Sequence, residues 1–245
     1  MESFSRVEKK YLLSRAKCDD IIKVLQTRMI LDDYGGTGGK YGILSLYYDT
    51  PHNRLIREAL STPRFREKLR LRAYSIPQPG DMVYLEIKRK TDGVGYKRRL
   101  KLPLDDAYQL IKTGECFFAP KKDSAQVFRE VTALLHRHDK NLNPAAIIGY
   151  DRLAFDGCED KGLRISFDTD LYGRTYDLRL ESGTYGRRLI DSNLAIMEIK
   201  VLQAMPLWLA RLLSAKEAGP RGFSKYRALY HCGITSYRYP GVHFD

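Results

Sequence analysis

The sequence predicts an α+β domain whose antiparallel strands close into a barrel, with helices packed outside. Three observations point there. Roughly eight short segments alternate apolar and polar residues, the period of a strand with one buried face. Helical periods separate several of these segments, an order of the α+β type. The polar side of the alternation is mostly Arg and Lys, as in Lys68-Leu69-Arg70-Leu71-Arg72 and Tyr84-Leu85-Glu86-Ile87-Lys88. A barrel removes the edges that an open sheet of this size must protect.

Taken in order, Arg6–Leu13 alternates and reads as a strand. Ser14–Arg28 carries Ile21, Ile22 and Leu25 behind Asp19 and Asp20, which predicts an amphipathic helix. Gly35-Gly36-Thr37-Gly38-Gly39 reads as a flexible loop; it lacks the spacing and the Lys-Ser/Thr ending of a phosphate loop. Ile43–Asp49 is a strand stopped by Thr50-Pro51, and His52–Leu60 is helical. Arg66–Tyr74 and Met82–Lys90 are strands split by the Pro- and Gly-rich Ile76–Asp81, and Asp92-Gly93 turns the chain into Val94–Leu102 as a hairpin. Asp105–Thr113 and Ser124–His138 are helical by period. Ala146–Phe155 and Leu163–Leu171 are strands around a turn at Asp156–Gly162, and Tyr176–Leu180 with Tyr185–Ile190 reads as a small extra hairpin. Leu194–Val201 is a strand, Pro206–Ala215 a helix with Trp208 as its packing anchor, and Phe223-Ser224-Lys225-Tyr226 opens a last helix. No linker or solenoid repeat divides residues 1–245, so the chain reads as one domain.

The hydrophobic share of 43% supports a packed core and excludes wholesale disorder. The net charge of +12 favours an acidic partner: nucleic acid, an anionic membrane surface or a phosphorylated small molecule. That charge is spread through strand-like segments, unlike a basic tail. The N-terminus shows no apolar leader, and no stretch approaches the ~20 apolar residues of a membrane span. Cys18, Cys116, Cys158 and Cys232 lie far apart, and His136 and His138 do not share a helix face. These features predict a cytoplasmic protein with reduced thiols and no zinc site.

On strand parity, Glu8 and Lys10 share a face, as do Arg70 and Arg72, Glu86 and Lys88, Lys97 and Arg99, and Glu198 and Lys200; Arg152 and Arg164 project opposite Leu153 and Ile165. The solvated face of a half-buried sheet alternates in the same way. Such faces mix signs and include Ser, Thr and Gln, whereas Arg and Lys dominate here. The tyrosines (17 in all) and the helices also need an apolar surface to pack on, which the outside of a barrel supplies. If the cations point inward, two of them ~4 Å apart at an effective dielectric of ~20 repel by about 4 kcal/mol. Water and a bound anion must offset that, and phosphate oxygens suit Arg in a two-pronged grip. Glu8, Glu86 and Glu198 are free to pair with these cations or to hold a divalent metal through carboxylate and phosphate oxygens. The aromatics Tyr84, Phe155 and Phe167 fall mostly on or near the apolar side, which argues against the interleaved stacking of a single-strand nucleic-acid binder.

The ordered set Arg6-x-Glu8-x-Lys10-Tyr11, Ser45-Leu46-Tyr47-Tyr48-Asp49-Thr50, Lys68-Leu69-Arg70-Leu71-Arg72-Ala73-Tyr74, Leu85-Glu86-Ile87-Lys88, Tyr150-Asp151-Arg152-Leu153-Ala154-Phe155, Arg164-Ile165-Ser166-Phe167-Asp168-Thr169, Met197-Glu198-Ile199-Lys200 and Phe223-Ser224-Lys225-Tyr226 resembles the VTC domain. That is the polyphosphate-polymerase domain of the vacuolar transporter chaperone complex, within the triphosphate tunnel metalloenzyme superfamily. The resemblance runs in order from about Arg6 to about Tyr230. It implies an eight-stranded antiparallel tunnel that transfers the ATP γ-phosphate to a growing polyphosphate chain. It also implies catalytic roles for Lys10, Arg70, Arg72, Lys88 and Lys225, and phosphate binding by Lys97, Arg99, Arg152, Arg164 and Lys200. Mn²⁺ or Mg²⁺ would sit on Glu198, assisted by Glu8 and Glu86.

Two departures bear on this. The hydrolytic branch of the superfamily opens with two glutamates and a lysine at alternate positions, and here the first is Arg6. VTC domains favour that loss, and one carboxylate fewer suits one metal better than two. The basic residue expected three before the final Lys is Gly222, with Arg221 preceding it. Phosphoryl transfer to an anionic acceptor needs positioning and electrostatics more than a protein base, and no Ser/His/Asp or Cys/His constellation is evident. The alternatives are an inorganic triphosphatase or NTPase in the same tunnel, a non-catalytic polyphosphate or inositol-phosphate sensor, and, ranked low, nucleic-acid binding. Any membrane coupling would need a separate partner protein. Asp168 and Asp170 read as ion-pair partners of the tunnel cations.

Overall fold

The computed structural model describes residues 7–61, 64–92, 94–115, 124–202 and 204–234. Along the chain run β1 (Val7–Ser14), α1 (Arg15–Leu25), β2 (Met29–Leu31), a 3₁₀ turn (Asp33–Gly38), β3 (Lys40–Asp49), α2 (Arg54–Leu60), β4 (Phe65–Ala73), β5 (Met82–Thr91) and β6 (Val94–Pro103). Then follow α3 (Leu104–Thr113), α4 (Ala125–Arg137), β7 (Asn143–Gly157), β8 (Arg164–Arg174), a 3₁₀ turn (Leu180–Ser182), β9 (Arg187–Arg188), β10 (Leu194–Val201), α5 (Leu207–Ala215) and α6 (Lys225–Ile234). The helices start and stop where local chemistry allows. The Ser14 hydroxyl accepts the Lys17 N–H at the head of α1. The buried Asp49 carboxylate accepts the N–H groups of Leu55 and Ile56 at 2.8 and 3.0 Å, satisfying the first turn of α2. Gly114 at φ 81° closes α3, a left-handed conformation that glycine takes at little cost.

The strands form one antiparallel sheet in the order β1-β10-β8-β7-β3-β4-β5-β6, with β2 added on β7 and β9 on β8. The expected eight alternating strands are therefore the main path. Among the described residues the expected hydrogen-bonded closure is not seen: β1 and β6 stand at opposite ends of the strand order. The sheet nevertheless curls. Lys88 on β5 lies 3.9 Å from Glu8 on β1, although five strands separate them in the sheet. Laid flat at a strand spacing of ~4.8 Å, that pair would stand roughly 29 Å apart. The two edges carry Lys9 and Lys10 on one side and Lys97, Arg98, Arg99 and Lys101 on the other, and like charge opposes backbone pairing between them.

Three apolar clusters hold this shape. On the convex side, alternate residues of β3–β6 (Leu46, Leu69, Leu71, Leu85, Leu100) pack against Leu110 of α3 and Leu134 of α4. The convex side of β1, β10 and β8 (Tyr11, Met197, Phe167) packs against Ile21 of α1 and Leu209 of α5. The third cluster is on the concave side. Ile43, Tyr47, Ile148 and Ile196 meet Ile56 of α2 and Phe223, Tyr226 and Leu229 of α6. Thus α6 packs inside the curl, contrary to the expectation of helices only outside.

Smaller expectations also change. Tyr176–Leu180 and Tyr185–Ile190 form no hairpin. Arg187–Arg188 pairs instead with β8, and a 3₁₀ turn at Leu180–Ser182 fills the interval. The buried Arg174 organises this segment by donating to the carbonyls of Asp177, Gly183 and Tyr185. The glycine-rich segment expected as a loop contributes to the 3₁₀ turn Asp33–Gly38. The β5–β6 hairpin forms as expected, with Thr91 opposite Val94. Arg6, Gly93 and Cys116 lie outside the described residues.

Candidate active site

Strand parity dictates which side chains enter the concavity. Even-numbered residues of β1, β10, β4 and β5 point inward, while their odd neighbours are mostly the apolar residues of the convex clusters, with Lys9 and the paired Glu67 and Arg89 as charged exceptions. The cations gather there around three carboxylate centres.

The first centre is Glu86 on β5, only 1% exposed. Arg70 contacts it at 2.7 Å, Lys97 at 2.8 Å, Arg99 at 2.7 Å and Arg72 at 3.9 Å. Burial alone would raise its pKa, but Arg70, Arg72 and Lys97 outweigh that and hold the carboxyl well below the usual range. The second centre is Asp168 on β8, which takes a two-pronged grip from Arg152 at 2.6 and 2.8 Å and the ammonium of Lys225 from α6. Burial is again the largest influence and is again overcome, leaving Asp168 at about 2. The third centre joins β1 and β10. Lys10 lies 3.1 Å from Glu8 and 4.0 Å from Glu198, Lys200 pairs with Glu198 at 2.5 Å, and Lys88 reaches Glu8. Lys10 also donates to the Phe223 carbonyl at 3.2 Å, tying the approach to α6 onto the strand face.

Tyr150 on β7 links two centres. Its hydroxyl accepts from Arg72 at 3.4 Å, and the Lys225 ammonium sits 4.4 Å from its ring centroid. Thus Lys10, Arg70, Arg72, Lys88, Lys97, Arg99, Arg152, Lys200 and Lys225 share one concave face with Glu8, Glu86, Asp168 and Glu198. Arg164 stands apart at one mouth, held by Asp32 and Asp156. Asp170 likewise pairs away from the centre, with Arg15 and Arg188.

Besides Tyr150, three participants went unassigned in the sequence. Lys68 donates to the Ser224 hydroxyl at 3.3 Å, and its parity with Arg70 and Arg72 was the signal available. Tyr47 accepts from Arg70 at 2.9 Å, and its parity with Ser45, itself an acceptor for Arg72, would have placed it. Burial would raise the Tyr47 phenol, but Arg70, Lys68 and Arg72 bring it down to about 7. Burial lowers the Lys68 and Lys97 ammoniums to about 8, with Tyr47 and Glu86 respectively pulling the other way. The third is Tyr34, which belongs to the 3₁₀ turn and has no strand parity to read.

Tyr84 corrects an expectation. Phe155 and Phe167 do lie in a convex cluster, but Tyr84 is on the charged face. There it joins Tyr34, Tyr41 and Tyr74 at the Arg164 mouth. Tyr34 lies 4.5 Å from Tyr74 and 5.5 Å from Tyr41 between ring centroids, and Tyr84 meets Tyr74 edge-on at 5.6 Å.

Hard oxygen donors are available for a divalent cation. Glu8 and Glu198 occupy diagonal positions on adjacent strands and share Lys10. One or two carboxylates completed by phosphate oxygens is the usual donor set of Mg²⁺. Among the described residues no three His, Cys, Asp or Glu side chains converge on a metal position. Glu86, expected beside them, is instead enclosed by its four cations.

Comparison with known proteins agrees with this fold. No curated protein sequence matches the chain. An adenylate cyclase candidate from Bacillus halodurans superposes with a TM-score of 0.54 at 11% identity, covering 90% of this chain and 95% of its own. HpAC1 from Hippeastrum, an adenylyl cyclase candidate with a dominant triphosphatase activity, superposes with a TM-score of 0.52 at 16% identity, covering 93% of this chain and 96% of its own. At such identities the likeness concerns the fold. The family model of the VTC domain matches residues 5–232. With nearly its whole length matched and its cations gathered on one concave face, the chain belongs to the VTC domain family.

Proposed function

We propose that this protein is a metal-dependent polyphosphate polymerase that moves the γ-phosphate of ATP onto a growing inorganic polyphosphate chain. The observation that carries the reading is the excess of cations over carboxylates on the concave face. Glu86 faces Arg70, Arg72, Lys97 and Arg99, and Asp168 faces Arg152 and Lys225. Such an excess at short range favours a polyanion held between the cations. VTC family membership and the enzyme described for HpAC1 support chemistry on phosphates.

Arg70, Arg72 and Arg99 are placed to grip non-bridging oxygens of the donor triphosphate. Lys10, Lys88 and Lys200 line the approach toward Glu198, where donor and acceptor phosphates meet. Glu198, with Glu8, would hold Mg²⁺ or Mn²⁺, which supplies neutralisation of the transferring phosphoryl oxygens. Arg152 and Lys225, fixed by Asp168, keep the acceptor chain in line from the α6 side. The acceptor oxygen is already anionic, so no protein base is required. Glu86 orders its four cations in advance, which removes the cost of reorganising them as charge develops.

The test is incubation with ATP and Mn²⁺ or Mg²⁺, with products resolved by gel electrophoresis and phosphorus NMR. Chains longer than the donor are expected. Short phosphates alone would assign the site to hydrolysis, and binding without ATP consumption would assign it to sensing.

A further inference from the structure

The tyrosines at one mouth are not explained by phosphate chemistry. Bare phosphates have no apolar surface, yet four aromatic rings converge beside the cations. Tyr34 leans against Tyr74 and Tyr41, Tyr84 meets Tyr74 edge-on, and the Tyr34 and Tyr84 hydroxyls lie 3.3 Å apart. The cluster comes from the 3₁₀ turn, the start of β3, the residue after β4 and the start of β5, so it borders the concavity rather than the convex core. It is not sealed: Tyr34 remains 54% exposed.

Arg99 connects this cluster to the phosphate site. Its guanidinium sits 4.5 Å from the Tyr84 centroid, donates to the Tyr74 hydroxyl at 3.0 Å and contacts Glu86 at 2.7 Å. Lys101 lies 6.0 Å over the same Tyr84 ring. One cation thus touches both the carboxylate that organises the phosphate ligands and the aromatic rim. A ligand with a flat ring joined through a short polar spacer to a phosphate chain matches that sequence of surfaces. That is the chemistry of a nucleoside triphosphate.

We infer that Tyr34, Tyr74, Tyr84 and Arg99 form a stacking subsite for the base of a nucleoside triphosphate donor, with the phosphates directed inward toward Arg70 and Arg72. This rests on the phosphate-binding reading of the concave face and adds the residues that would hold the donor's base and its direction of entry. The nearby hydrogen-bonding groups are already engaged. Asp32 already accepts from Arg164, Tyr41 and the Tyr34 N–H, which leaves little of its acceptor capacity for a base edge. Stacking accepts any base because every base has a π-face. ATP and GTP should therefore bind within about threefold of each other.

The experiment compares ATP with inorganic tripolyphosphate by calorimetric titration, using the full chain, Tyr34→Ala and Tyr34→Phe. Stacking on one aromatic ring is worth ~1–3 kcal/mol per base, so Tyr34→Ala should weaken ATP about 5- to 150-fold and leave tripolyphosphate unchanged. Tyr34→Phe keeps the ring and loses the hydroxyl contact to Tyr84, so it should bind ATP like the parent. Because Tyr34 is exposed, its truncation leaves the core packing in place, and thermal unfolding of each variant checks this. Equal ATP affinity in parent and Tyr34→Ala overturns the subsite, as does equal loss of ATP and tripolyphosphate. Failure of the parent to bind tripolyphosphate at all overturns the phosphate-binding reading itself, a separate outcome.

Discussion

Replacing Glu86 with Gln removes one negative charge and almost no volume. The structure lets the consequence be sized. In the parent, Glu86 is buried with Arg70, Lys97 and Arg99 all within 2.8 Å. Breaking a buried ion pair by deleting one partner costs about 3–5 kcal/mol, because the remaining charge stays desolvated. Here several cations lose the same partner, so the upper part of that range applies. For a chain of this length each kcal/mol moves the midpoint by roughly 2–4 °C, which predicts a fall of about 8–20 °C for the protein without phosphate. Tripolyphosphate should then restore more stability to Glu86→Gln than to the parent, since the variant face is one charge more positive. A ligand at 100 times its Kd stabilises by about 2.7 kcal/mol. Differential scanning fluorimetry across a tripolyphosphate series measures both effects. A midpoint within ~2 °C of the parent, or a tripolyphosphate gain no larger than the parent's, would refute the claim that these cations converge on Glu86 in a poorly solvated face.

Other perturbations separate the centres. Lys88→Ala removes a half-exposed ammonium, so its melting midpoint should stay near the parent's, while turnover of ATP with metal should fall about 100-fold or more, as for loss of one charge-stabilising donor. Against the upward push of burial, Arg152 and Lys225 hold the Asp168 carboxyl at about 2, below the usual carboxylate range. Its stabilisation is present above that usual range and is lost as pH falls through about 2, so Asp168→Asn should lower stability at neutral pH and flatten the acid limb of an unfolding-midpoint-against-pH curve. Tyr47 titrates at about 7 and Lys68 and Lys97 at about 8, so the face loses positive charge as pH rises through those values. Calorimetry should show tripolyphosphate affinity falling over that interval, with Tyr47→Phe abolishing the lower step and retaining the upper one.

Much of this architecture is legible from alternation alone. Each main-path strand announces itself by parity, and the same parity places Lys10, Arg70, Arg72, Glu86, Lys88 and Glu198 on one side of the sheet. What parity cannot give is curvature. Alternation is identical in an open sheet and a closed one, so the hydrogen-bond gap between β1 and β6 has no local signature. The two-residue β9 and three-residue β2 are too short to show a period, and β9 forms because Arg174 gathers the carbonyls around it. Tyr84 was misplaced because aromatic character suggested the apolar side, although its even number matches Glu86 and Lys88. Asp156 faces Arg164 across the β7–β8 hairpin, whereas the contact of Arg164 with Asp32, just before the 3₁₀ turn, is long-range and no spacing encodes it.

The gap between the first and sixth strands has a mechanical meaning. A barrel stitched all round by amide ladders has a fixed girth, whereas this sheet is spanned near that gap by a side-chain contact, Lys88 of β5 to Glu8 of β1. Screening lengths shrink from ~8 Å at physiological ionic strength to ~3 Å at 1 M salt. The width of the cleft should therefore answer to dissolved ions, and widening it needs no strand to be torn from its neighbour.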